Sequence, residues 1–183
     1  MLWPFNRRGS SRTPSRGTIE AIYGMIVAQA REPLFYQGLG VPDTVNGRFD
    51  MVVLHLWMVL RRLRTGAEGP ALAQALFDHF CDDMDDNLRE MGVSDVGVPK
   101  RMKAFGEAFY GRSIAYDQAL EAGGPALAAA LARNILNSGE GDVAAPLAAY
   151  VRRAIAELAS LADADLAAGR IRLPLPAASE SGA

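Results

Sequence analysis

Apolar side chains recur every three or four residues along most of the chain, the period of helices that bury one face. The stripe Ile19, Ile22, Tyr23, Ile26 and Val27 predicts a first helix, with Thr18 as its N-cap and Pro33 as its end. Residues 34–46 read as a structured loop, with two glycines and a Val-Pro-Asp turn signal. A second helix over residues 47–64 is apolar around most of its circumference, which places it at the centre of a bundle. A third runs from Pro70 to Gly92, with Leu72, Leu76, Phe80, Met84, Leu88 and Met91 turned inward. A fourth starts near Pro99 and presents Met102, Phe105, Phe109, Tyr116 and Leu120. Two alanine-rich helices follow, over residues 125–136 and 143–168. The expected fold is an all-α, single-domain bundle of about six helices spanning residues 18–169. A mobile basic N-terminal arm, residues 1–17, precedes it, and an extended tail, residues 170–183, follows it. Pro174 and Pro176 keep that tail out of a helix, and residues 171–175 could cover a surface groove.

Length and charge narrow the function classes. A chain of 183 residues suits one domain that buries about 70% of its unfolded surface. A formal charge of −2 argues against broad nucleic-acid binding, so no specific nucleic acid is expected as a partner. The lone Cys81 excludes an intrachain disulfide, and a buried spectator thiol is expected there rather than a nucleophile. The longest apolar run, residues 51–60, is half the length of a membrane span and ends at Arg61 and Arg62. No secretory signal is expected in the first residues, which carry Arg7, Arg8, Arg12 and Arg16 beside Trp3 and Phe5. Such an arm reads as a disordered tail, or as a tether that touches anionic membranes.

Candidate chemistry concentrates in a few places. Asp82, Asp83 and Asp86 satisfy Asp-Asp-x-x-Asp, the pattern by which carboxylates share magnesium over a diphosphate. A magnesium-dependent enzyme acting on prenyl or other diphosphates is therefore one alternative. A lone match carries little, and the second acidic motif such enzymes use is not evident. Charge placement offers another account, in which Asp82 to Glu90 pair across a hairpin with Lys100, Arg101 and Lys103. A third account makes Asp82, Asp83, Asp86 and Glu90 an acidic surface for a partner. His55 and His79 show no metal-ligand spacing, and His55, within an apolar helix, is expected to be a satisfied core histidine. Arg112 falls on the inward stripe and needs a carboxylate, with Asp43, Asp50 and Asp117 as candidates. Gly106 and Gly111 weaken a helix, which predicts close approach by another element. No catalytic residue, metal or cofactor is assigned.

Several blocks are dense in residues that packing alone would not select. They are Phe35-Tyr36, Val41-Pro42-Asp43-Thr44, Gly47-Arg48-Phe49, Leu54-His55, Leu88-Arg89-Glu90, Gly92-Val93-Ser94-Asp95, and Phe109-Tyr110-Gly111-Arg112 with Ala115-Tyr116. In this order the blocks resemble the ubiquinol–cytochrome c chaperone family, over residues 19–120. The resemblance implies a non-enzymatic chaperone that binds newly made cytochrome b while the reductase assembles. It implies as partners cytochrome b or an assembly intermediate, the ribosome and a small protein. It also implies a location in the cytoplasm at the periphery of the inner membrane, or in the mitochondrial matrix of a eukaryote. Phe35, Tyr36, Asp43, Arg48, Phe49, Phe109, Tyr110, Arg112 and Tyr116 are the expected client contacts.

Overall fold

The computed structural model describes residues 14–66 and 69–177. Most of the expected arm therefore lies outside the described residues, as does the end of the tail. The helices are α1 (Arg16–Ala30), α2 (Pro33–Gln37), α3 (Val45–Leu63), α4 (Gly69–Glu90), α5 (Gly97–Ala122), α6 (Ala126–Asn134), α7 (Ala145–Ser160) and α8 (Asp163–Ala167). A 3-10 turn, Gly141–Ala144, leads into α7. Among the described residues there is no strand, so the all-α single domain holds.

Helix α3 is the axis of the bundle. Met51, Leu63 and every residue from Val53 to Leu60 are buried, so all sides of the helix meet protein. Helices α1, α4 and α7 each pack on it, α5 packs on α4, and α6 joins α5 to α7. The heart of the core holds Trp57, whose ring lies 5.0 Å from that of Tyr116. Phe35, Tyr150 and Leu147 close it from the side of α2 and α7.

The boundaries differ from the sequence expectation where a local hydrogen bond decides. Helix α1 begins three residues earlier than expected because Ser15, not Thr18, accepts from a first-turn amide, that of Thr18, at 3.1 Å. Pro33 does end that helix, but it also opens α2, since proline fits the first helical turn. Thr44 caps α3 through the Gly47 amide at 3.1 Å. Gly47 sits so close to the carbonyl of Pro42 that an added Cβ would lie 2.0 Å from its oxygen. At the end of α4, Gly92 adopts a positive φ of 80°. The amides of Gly92 and Val93 then return to Arg89 O and Leu88 O, a Schellman stop.

The expected single helix over residues 143–168 is instead broken at Leu161, which is extended. Arg62 explains the break. Its guanidinium reaches across from α3 and donates to Leu158 O at 2.9 Å, Leu161 O at 2.7 Å and Asp163 Oδ1 at 2.8 Å. These bonds satisfy carbonyls that a continuous helix would have bonded internally. Gly106 and Gly111 also depart from expectation, because beyond the backbone of their own helix nothing lies within 4 Å of a Cβ built on either. Nothing in the packing accounts for those two glycines.

Candidate functional site

The start of α3 and the middle of α5 meet along one seam with α4. Asp50, in the second turn of α3, accepts from Arg112 of α5 at 2.5 Å. Asp50 is the partner among the three carboxylates open to Arg112, and its side chain is only 14% exposed. Beside this pair, Phe49 lies 5.7 Å from Phe105 and 6.4 Å from Phe80, stacked on the latter. Phe105 continues to Phe109 at 6.0 Å, and Phe109 to Phe77 at 5.3 Å. Phe80 and Phe109 are buried, whereas Phe49, Phe77, Phe105 and Met84 are half-buried. The result is an aromatic row, partly open to solvent, between α3, α4 and α5.

Arg48, which precedes Phe49 in the chain, belongs to a polar corner. Arg48 donates to Asp43 at 2.7 Å, and its guanidinium carbon lies 5.9 Å from the centre of the Tyr36 ring. The Arg48 guanidinium holds the Asp43 carboxyl below its usual range. Tyr36 donates to Ala30 O at 2.5 Å, so it closes the C-terminal end of α1. Burial is the main cause of its raised pKa.

The structure divides the expected contact residues into two groups. Phe35, Phe109 and Tyr116 are core, with 0%, 1% and 2% exposure. Tyr36, Phe49 and Arg112 are half-buried, and Asp43, Arg48 and Tyr110 are exposed. Phe35 serves packing: its ring is 4.8 Å from Tyr150 and 5.5 Å from His55. Phe77, Phe105 and Met84 belong to the seam but were not singled out as site residues. Their helical spacing marked Phe105 and Met84 as core-facing, and no sequence signal distinguishes a core edge from a core centre.

His55 is a satisfied core histidine, as expected. Its Nδ1 lies 2.7 Å from Met51 O, which can only accept, so Nδ1 carries the proton. Nε2 must then accept, and the Tyr150 hydroxyl donates to it at 2.7 Å. Burial pushes the His55 pKa down to about 4. Burial also pushes the Cys81 thiol up to about 11, helped by Asp78 and Asp82, so it is protonated at neutral pH.

On the acidic stretch of α4, Tyr23 donates to Asp83 at 2.7 Å, and its own pKa is raised by burial and by that bond. Arg89 pairs with Asp85 at 2.6 Å and with Asp95 in the following turn. Lys103 is 4.0 Å from Glu107 of its own helix. Among the described residues, no ion pair links Asp82, Asp83, Asp86 or Glu90 to Lys100, Arg101 or Lys103. The expected pairing across the hairpin is therefore replaced by pairs within α4, within α5 and into the turn. No group of three histidine, cysteine, aspartate or glutamate side chains among the described residues is arranged to hold a metal ion. No helix among them is long and apolar enough to cross a membrane.

The profile of the ubiquinol-cytochrome C chaperone family matches residues 37–173, from the end of α2 into the tail. The chain belongs to this family. It is 31% identical over 135 residues to ubiquinol-cytochrome-c reductase complex assembly factor 1 of Xenopus laevis, covering 72% of this chain and 68% of that protein. Against the mitochondrial protein CBP3 of Saccharomyces cerevisiae it is 28% identical over 149 residues, covering 78% of this chain and 44% of that protein. The chain thus spans about two thirds of the frog relative and less than half of the yeast one. The crystal structure of the Cbp3 homolog from Brucella abortus superposes with a TM-score of 0.78 at 43% identity, covering 86% of this chain and 89% of that one.

Proposed function

We propose that this protein is a non-enzymatic assembly chaperone for the ubiquinol–cytochrome c reductase, and that its client is newly made cytochrome b. The observation that carries this reading is the family match over residues 37–173, which take in α3 to α8 complete. The structure supplies a surface suited to such a task. Phe49, Phe77 and Phe105 offer partly open aromatic area at low conformational cost, the property that makes rigid rings effective contacts. Tyr36, Phe49 and Tyr110 would meet the client directly, with Asp43, Arg48 and Arg112 as a charged rim. Phe35, Phe109 and Tyr116 would act from behind, by fixing the backbone that presents those side chains.

Asp82, Asp83, Asp86 and Glu90 would face a cationic partner, for which the ribosome and a small basic protein are the candidates. The chain would work at the periphery of the inner membrane, from the cytoplasm or the mitochondrial matrix, with its arginine-rich arm as the contact. No observation favours the magnesium-dependent alternative, since Asp83 is engaged by Tyr23 and the carboxylates do not converge.

The test is a deletion strain whose membranes are examined by reduced-minus-oxidised haem spectra. Selective loss of the b-type signal together with the reductase is expected. Loss of all cytochromes alike, or of none, would refute the assignment.

A further inference from the structure

Residues 169–177 are not loose beyond α8. Gly169 lies against Thr18 and Ala21 of α1, and Pro174 O accepts from Gln29 of α1 at 2.9 Å. From Thr18 to Gln29 a helix rises about 16 Å. From Gly169 to Pro174 an extended chain covers about the same distance. Residues 169–174 therefore run parallel to α1 along its length. On the other side Arg153 of α7 donates to Leu175 O at 3.3 Å. Helices α1 and α7 both pack on α3, and this strap fills the groove between them. Ile171 is 5% exposed and joins the core, Leu173 packs against it, and Pro176 is buried.

How the strap is held decides what else the groove accepts. Among the described residues, no backbone–backbone hydrogen bond involves residues 171–177. The strap is fixed by apolar side chains and two accepted hydrogen bonds. Gln29 is itself oriented by the Tyr150 hydroxyl at 3.2 Å, so a carbonyl-reading donor stays in place whichever chain lies there. Such a groove reads an extended backbone with apolar side chains at alternate positions and no particular register of amides. Proline fits it, because the strap amides make no ladder for proline to break.

We propose that the α1–α7 groove is a binding site for an extended apolar segment of the assembly client, which the chain's own strap occupies until it is displaced. The identity of the partner rests on the chaperone reading above; the groove and its chemistry do not. A strap tethered through Gly169 competes at high local concentration, so a client segment engages only as the strap swings out.

The first measurement uses the full chain and a fluorescent octapeptide with valine at alternate positions and serine or glycine between them. Ile171→Asp and, separately, Leu173→Asp place a charge where the strap meets the core and release it. Helical content by circular dichroism confirms that each variant folds, and the milder Leu173→Asp covers a failure of the first. Each released protein should bind the peptide at least about tenfold more tightly than wild type, as expected if fewer than about a tenth of wild-type molecules have the groove open. Adding Gln29→Ala should weaken that binding, and a peptide with aspartate at the alternate positions should not bind. Equal affinity of wild type and released variants, or no binding by either, overturns the groove. Concentration-dependent dimerisation of wild type that both strap variants abolish would make a second copy the occupant and overturn the proposal.

The second measurement places a benzoylphenylalanine cross-linker at Ala21 of the Leu173→Asp chain in cells. An adduct with cytochrome b is expected. Peptide binding without that adduct overturns the client assignment while the groove stands. A deletion strain with normal haem spectra would instead overturn the chaperone reading, and the peptide result separates the two failures.

Discussion

Lowering the pH from 7 to 5 tests the buried His55 network directly. In the folded protein His55 is fully buried, and its pKa is depressed from 6.5 to about 4, because desolvation penalises the imidazolium. The unfolded chain therefore binds the proton more readily than the folded one. The neutral ring contributes stability that is present in full above pH 6.5 and lost as the pH falls towards 4. Taking those two values, about 2 kcal/mol is lost by pH 5 and a few tenths or less at pH 7. The hydrogen bonds give the same sign. Protonated Nε2 would point a donor at the Tyr150 hydroxyl, which already accepts from Gln29, and the hydroxyl proton would lose its acceptor.

Carboxylates elsewhere also titrate in this window, so the assay compares wild type with His55→Gln. Urea unfolding by circular dichroism at pH 7, 6 and 5 should show wild type losing about 2 kcal/mol more than the variant. The His55 ring protons in NMR spectra should not titrate above pH 5. Parallel losses in the two proteins, or a His55 midpoint near 6.5, would refute the reasoning.

Tyr150→Phe should cost about 1–3 kcal/mol in urea unfolding, because it leaves the buried His55 Nε2 without its donor; an unchanged midpoint would contradict the assigned tautomer. Arg62→Ala should cost about 2 kcal/mol, and Arg62→Lys should recover little of it, since one ammonium cannot reach Leu158 O, Leu161 O and Asp163 together. Gly47→Ala should destabilise by about 1–3 kcal/mol through the contact with Pro42 O, whereas Gly106→Ala, in open space within a helix, should stabilise by up to about 1 kcal/mol. Thermal melts of the two glycine variants should therefore move in opposite directions.

The helical architecture was legible because its signals are local and redundant. The stripe of α3 is so wide that only a central helix fits it, and the proline at residue 33 and the glycine at residue 92 mark their boundaries whatever surrounds them. What failed to show were features set by contacts far apart in sequence. The break at Leu161 comes from an arginine 99 residues away, so residues 143–168 read as one amphipathic helix. The carboxylates of α4 and the cations of α5 looked complementary, yet Arg89 and Glu107 lie nearer to their partners along their own chain segments. The strap was legible in outline, since two prolines forbid a helix, but its seat on Gln29 required the folded bundle. Arg112 needed a carboxylate on sequence grounds, and only the packing of α5 against α3 selects Asp50.

The blocks that looked least like packing prove to be largely structural. Thr44 and Gly47 fix the entry to α3, Gly92 and Asp95 the turn into α5, and Phe35 and His55 the joint with α7. Each is an irregular junction, where polar and aromatic side chains satisfy backbone groups or hold an angle that a run of leucines would leave undetermined. Between these junctions Phe49, Phe77 and Phe105 are left half open rather than closed. A tighter junction would bury the row, and a looser one would expose Phe80 and Phe109 as well, giving a patch prone to aggregation. The half-open state keeps the rings of Phe49, Phe77 and Phe105 accessible while Phe80 and Phe109 stay covered. The residues that carry the family resemblance therefore divide between the frame, where Phe35, Thr44, Gly47 and His55 lie, and the half-open row, to which Phe49 belongs.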